Sequence, residues 1–99
     1  MLKFDNARQT GLDAPRRAVL DALVGEMQQV ESRRLQIRAY ASPETGGDIP
    51  ARRRALSRAE AVRDHMMARG LPKHRMIIFS RPAETDDRAA ERVELLMIP

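Results

Sequence analysis

The chain has no cysteine among its 99 residues. That excludes disulfide staples, thiolate metal sites and cysteine nucleophiles, and it leaves the compartment open, because a cysteine-free domain suits cytosol and periplasm alike. Aromatic residues are scarce: Phe4, Tyr40 and Phe79 are all there are, few for a surface that stacks nucleic-acid bases. No apolar run approaches the roughly 20 residues of a membrane helix, and the N-terminus lacks the basic, apolar and small-residue sections of a signal peptide. The sequence as it stands therefore reads as soluble. His65 and His74 have no partner at ligand spacing, so no metal site is expected. Neither histidine lies in a catalytic motif, and no Gly-rich phosphate loop or paired-carboxylate motif occurs, which argues against an enzyme and against a cofactor.

What is present fits one compact domain, residues 1–99. Hydrophobic residues make up 42% and charged residues 32%, a balance that can bury enough apolar surface to offset chain entropy. Lys and Arg number 18 against 14 Asp and Glu, for a net charge of +4, a mild preference for anionic partners.

Periodicity orders the chain. Leu2 to Phe4 fits a short edge strand. Asp13 can cap a helix with Pro15 in its first turn, and Leu20, Leu23, Val24 and Met27 then recur on one face, with Arg16, Arg17, Asp21 and Gln28 turned to water. Leu35, Ile37, Ala39 and Ala41 alternate with Gln36, Arg38 and Tyr40, the period of a strand with one buried side. Ser42 to Pro50 is dense in turn formers. A second helix is expected from about Ala51 to Arg69, with Leu56, Ala59, Val62 and Met66 on its apolar stripe, ended by Gly70 with Pro72 beyond. Arg75 to Ser80 and Arg92 to Ile98 are apolar enough for inner strands, with a polar loop between them. The order βαβαββ predicts an α+β two-layer sandwich, a mixed four-stranded sheet with both helices on one face and no internal repeat or linker. Strand-helix-strand links predict parallel neighbours, whereas the last two strands can be an antiparallel pair.

Read together, the Phe4-Asp5 strand, the Ile37-x-x-Tyr40-Ala41 strand end, the helix ARRRALSRAEAVRDHMMARG and the closing Arg92-Val93-Glu94 strand resemble the OmpA-like domain family from Phe4 to Ile98. The most specific part is Arg58-Ala59-Glu60-Ala61-Val62 with Gly70 ending the helix; Arg92-Val93-Glu94 is the second anchor. The resemblance implies non-catalytic binding of the diaminopimelate-containing peptide of peptidoglycan. It implies periplasmic placement by the outer membrane or cell wall, with the membrane engaged only through an anchor of a longer parent protein outside this stretch. Such a ligand centre carries a carboxylate and an ammonium, so it needs a fixed guanidinium, an acid and backbone N–H groups.

On that pattern Arg58 is the expected guanidinium, pointing toward the segment after Ala41, and its removal is expected to leave the thermal melt nearly unchanged. Ala41 and Ser42 stand where the family has Thr-Asp, so Glu44 or Asp48 is the expected replacement acid. Ala90-Glu91 stands for the family's Asn-Arg, and Ser80 for a glycine. Arg92 either joins the ligand site or pairs with Glu94 or Asp87. Met66, Met67 and Met97 read as core filler. The Arg52-Arg53-Arg54 run is either a solvated face or an anion patch, unfavourable at a helix start because cations oppose the helix dipole. Two other readings stand beside this one: a degenerate domain that has lost the wall ligand and binds other envelope proteins, and a nucleic-acid module, disfavoured by the few aromatics, so that nucleic acid is not an expected partner.

Overall fold

The computed structural model describes residues 1–5, 9–43, 47–83 and 90–99. The elements follow in the order β1 (Leu2–Lys3), α1 (Ala14–Gln29), β2 (Arg34–Ala41), α2 (Asp48–Ala68), a single 3-10 turn (Lys73–Arg75), β3 (Met76–Pro82) and β4 (Arg92–Ile98). The βαβαββ order and the mixed four-stranded sheet are those expected from periodicity. No helix among the described residues is long and apolar enough to cross a membrane.

The strand neighbours match the expectation at β2 and β3, which are parallel, and differ elsewhere. The sheet order is β1-β4-β2-β3: β4 inserts between β1 and β2, antiparallel to both, and β3 lies parallel to β2 at the edge. Thus β1 and β2 are not hydrogen-bonded to each other, and the last two strands flank β2 instead of pairing. β3 is not an inner strand, and its outward residues Ile77 and Phe79 are 46% and 40% exposed. Its mixed composition reflects an edge strand with one face packed, where an apolar outward residue is tolerated.

The period-two pattern of β2 is realised: Leu35, Ile37, Ala39 and Ala41 are buried and the residues between them are half-buried. On this inner face they meet Val93, Leu95 and Met97 of β4, Met76 and Ile78 of β3, and the helix residues Leu20, Val24 and Met27 of α1 and Ala51, Ala55, Ala59, Val62 and Met66 of α2. α2 starts three residues earlier than expected, at Asp48, which places Pro50 inside its first turn, where a missing N–H costs nothing. Leu56 does not join its stripe but is 39% exposed. The buried line runs through Ala51, Ala55, Ala59, Val62 and Met66, one residue out of phase with Leu56, because alanines let the helix sit close on the sheet. Met67 is likewise exposed at 40% and fills no core space.

Both helices end as the sequence indicates. Asp13 Oδ1 accepts from the Arg16 N–H at 3.2 Å as N-cap of α1, with Pro15 in the first turn. Gly70 closes α2 at φ 101°, a left-handed conformation that disfavours any side chain. Its N–H donates to Met67 O at 3.0 Å and that of Leu71 to Met66 O at 3.1 Å, while Leu71 itself is buried. The C-terminus of α1 is held from afar. Arg75, expected in β3, instead sits in the 3-10 turn, buried, where its Nη2 donates to Met27 O, Val30 O and Arg33 O at 2.9, 2.6 and 2.8 Å. A cation on the last carbonyls of a helix satisfies orphan acceptors and complements the dipole.

Candidate functional site

Arg58 lies on the core-facing side of α2, between the alanines and Val62, and is 0% exposed. A buried guanidinium must have its donors matched, because an uncompensated charge in the interior is strongly unfavourable. The surroundings supply the partners: Nε donates to Gln9 O at 2.8 Å, and Nη1 donates to Tyr40 O and to Glu91 Oε1, both at 2.8 Å. The guanidinium carbon also lies 4.7 Å from the centroid of the Phe4 ring. Arg58 therefore does reach the end of β2, as its place in the helix implies. It arrives there as a buried ion-pair partner rather than an open cation.

Glu91 completes the arrangement. Its Oε1 accepts both from Arg58 Nη1 and from the Ser42 N–H, the latter at 3.0 Å, and its side chain keeps 18% exposure. Its own backbone is fixed where Phe4 N donates to Glu91 O at 2.8 Å, tying the start of β4 to the end of β1. A carboxylate thus stands beside Ser42, the position whose acid is missing, but it comes from the segment before β4 instead of the loop after β2. Sequence reading missed this assignment. The available signal was the pair of departures itself: an acid lost at Ser42 and a cation replaced by an acid at Glu91.

Ala41 and Ser42 are both buried at this corner. The Ser42 peptide is gripped from two sides, its N–H by Glu91 and its carbonyl by Arg54 Nη2, one helical turn before Arg58. Arg54 is half-buried and its Nε finds no acceptor among the described residues. Within the Arg52-Arg53-Arg54 run, only Arg54 turns inward; Arg52 and Arg53 are exposed.

The remaining expected residues are not gathered here. Arg92 projects from the opposite face of the sheet, where its guanidinium stacks 3.9 Å from the Tyr40 ring centroid and its Nε donates to Glu94 Oε2 at 3.0 Å. The alternation of β4 is the reason: Val93 points into the core, so Arg92 points away from it. Asp48 is exposed in the first turn of α2, where its charge suits the helix N-terminus. Glu44 and Asp87 lie outside the described residues.

Elsewhere, His65 Nε2 lies 2.7 Å from Asp21 Oδ1 and joins α2 to α1. That hydrogen bond, with Arg69 nearby, holds the Asp21 carboxyl below its ordinary value against partial desolvation. Arg16 is not turned to water but is 14% exposed, bridging Asp5 at 2.9 Å and Asp13 at 2.6 Å.

No protein-family model and no curated protein matches the sequence. Solved structures do match its shape. The OmpA-like domain of FopA1 from Francisella tularensis superimposes with a TM-score of 0.81 at 23% identity, over 98% of this chain and 70% of that one. The C-terminal domain of Helicobacter pylori MotB gives 0.78 at 12% identity, over 98% and 83%. The peptidoglycan-associated lipoprotein from Burkholderia pseudomallei gives 0.79 at 18% identity, over 98% and 88%. The fold of this chain is that of the OmpA-like domain.

Proposed function

We propose that this chain is a non-catalytic domain of the cell envelope that binds peptidoglycan through its diaminopimelate-containing stem peptide and anchors a parent protein to the wall from the periplasm. The OmpA-like fold, shared with a peptidoglycan-associated lipoprotein, supports the general role. The observation that carries the site is the meeting of Arg58 and Glu91 on the Ser42 N–H at the tip of β2.

The recognition step follows from charge. A ligand centre bearing both an ammonium and a carboxylate can replace the internal ion pair by two external ones. Its carboxylate takes the place of Glu91 Oε1 on Arg58 Nη1 and the Ser42 N–H. The Glu91 carboxylate, already part-exposed and released by that exchange, holds the ammonium. Glu91 is thus the acid of the site, in the role first expected of Glu44 or Asp48, and Ala41 and Ser42 supply the backbone wall. The exchange breaks a buried pair before it forms new ones, so affinity depends on the ligand offering both charges.

The same burial favours a second reading, in which the Arg58–Glu91 pair is purely structural, wall binding is lost and the domain contacts other envelope proteins. Co-sedimentation with purified peptidoglycan separates the two. Glu91→Gln keeps an acceptor for Arg58 and the Ser42 N–H but removes the charge for the ammonium. Wild type is expected to sediment and Glu91→Gln to lose about tenfold in affinity, which corresponds to about 1.4 kcal/mol. Wild-type protein that stays in the supernatant overturns wall binding, and equal sedimentation by both proteins removes Glu91 from the site.

A further inference from the structure

The sheet face turned away from the helices carries an organised pattern that the wall-binding reading does not use. Strand register places Arg81, Tyr40, Arg92 and Lys3 in one row across all four strands. The next row is Phe79, Arg38 and Glu94, and the third is Ile77, Gln36 and Leu96. Among the described residues these three rows hold four cations and one carboxylate, and Glu94 is already held by Arg92 at 3.0 Å. Among the described residues Arg38 donates only to the neutral Gln36 side chain, at 2.7 and 3.1 Å, and Arg81 has no ion-pair partner.

Between these two guanidiniums lies a half-open pocket of about 240 Å³, lined by Arg38, Ala39, Tyr40, Phe79 and Arg81. Phe79 in its lining is 40% exposed, and the row beyond it adds the exposed apolar residues Ile77 and Leu96, at 46% and 47%. We infer that this face docks an acidic segment of a partner protein, seating an aspartate or glutamate side chain between Arg38 and Arg81 and apolar neighbours on Phe79, Ile77 and Leu96. Unpaired guanidiniums beside aromatic rings in a concavity are the features that anchor interfaces, and the surplus of cations selects a carboxylate-bearing occupant.

Other anionic surfaces fit less well. Tyr40 already has Arg92 stacked on its ring at 3.9 Å, which leaves one ring face fewer for a nucleic-acid base. A bilayer surface has no knob to fill the concavity. The inference does not rest on the wall-binding reading, because Arg58 and Glu91 act on the inner side of the sheet.

The test is a chemical-shift and anisotropy titration of the whole chain with an alternating Glu-Phe peptide, its Lys-Phe counterpart, phosphatidylglycerol vesicles and oligo-dT. The acidic peptide is expected to shift the Arg38, Tyr40, Phe79 and Arg81 amides, with affinity falling as salt rises. An Arg38→Gln/Arg81→Gln double variant is expected to bind it about tenfold more weakly, with an unchanged melt and unchanged peptidoglycan sedimentation. Absence of binding, equal binding by the double variant, or preference for vesicles, oligo-dT or the Lys-Phe peptide overturns the proposal.

Discussion

Arg58 and Glu91, thirty-three residues apart in sequence, meet at 2.8 Å beneath the tip of β2, with the arginine wholly buried and the glutamate part-exposed. The pair makes Arg58 a structural residue as well as a candidate reader of ligand. The sequence-based expectation that its removal leaves the melt unchanged is therefore reversed. Arg58→Ala strands a carboxylate and two carbonyls, those of Gln9 and Tyr40, and is expected to destabilise the domain by about 3–5 kcal/mol. Urea denaturation measures this, and a loss below about 1 kcal/mol would show that the site relaxes around the deletion. Arg58→Ala is for that reason a poor probe of binding, and Glu91→Gln the better one.

Arg75 provides a second stability test away from the site. Its Nη2 contacts three carbonyls around the end of α1, so Arg75→Met removes their donor while keeping most of the buried stem. The expected loss is about 2–3 kcal/mol, with faster amide exchange in the last turn of α1. Unchanged protection there would show that water replaces the guanidinium without penalty.

The Asp21–His65 contact predicts a pH dependence. Because Asp21 titrates below its ordinary value of 3.8 in the folded state, its contribution is fully present above that value. It is lost as the pH falls through the lowered folded value. His65→Ala removes the largest cause of the shift, so stability of the variant is expected to fall less steeply with acid below the ordinary carboxylate value than that of wild type. Identical acid limbs for the two proteins would exclude the contact as a source of stability.

Packing of α2 predicts an inversion of the usual hierarchy. Leu56 is the exposed leucine and Ala55 the buried alanine. Leu56→Gln is expected to lie within about 0.5 kcal/mol of wild type, whereas Ala55→Leu forces the helix off the sheet and costs about 1–3 kcal/mol. Thermal melts of the two variants check the order, and a larger effect at Leu56 would place the stripe in the wrong phase.

These residues also show how far the sequence is legible. Capping chemistry is local, so Asp13, Pro15 and Gly70 mark helix ends without tertiary knowledge. The alternation of β2 survives because both of its faces are set by its own side chains. Strand order is not local: nothing in residues 92–98 says that β4 slides between β1 and β2. The helix stripe is not legible at Leu56, because size does not signal burial here: alanine is what close helix–sheet approach requires. Arg58 was found by motif, but its burial and its partner were not, since Glu91 is distant in sequence and becomes a neighbour only when β4 adopts its place. The place of Arg75 outside β3 is hidden for the same reason: its acceptors belong to the end of another helix.

The central claim is that the Arg58–Glu91 pair opens to admit a zwitterionic wall fragment. A chemical-shift titration of the labelled domain with a diaminopimelate-containing muropeptide tests it most directly. Shifts that saturate at Ala41, Ser42, Arg58 and Glu91, and that need about tenfold more muropeptide to saturate in Glu91→Gln, are the predicted result. Silence at those four residues while the muropeptide is in excess would contradict it.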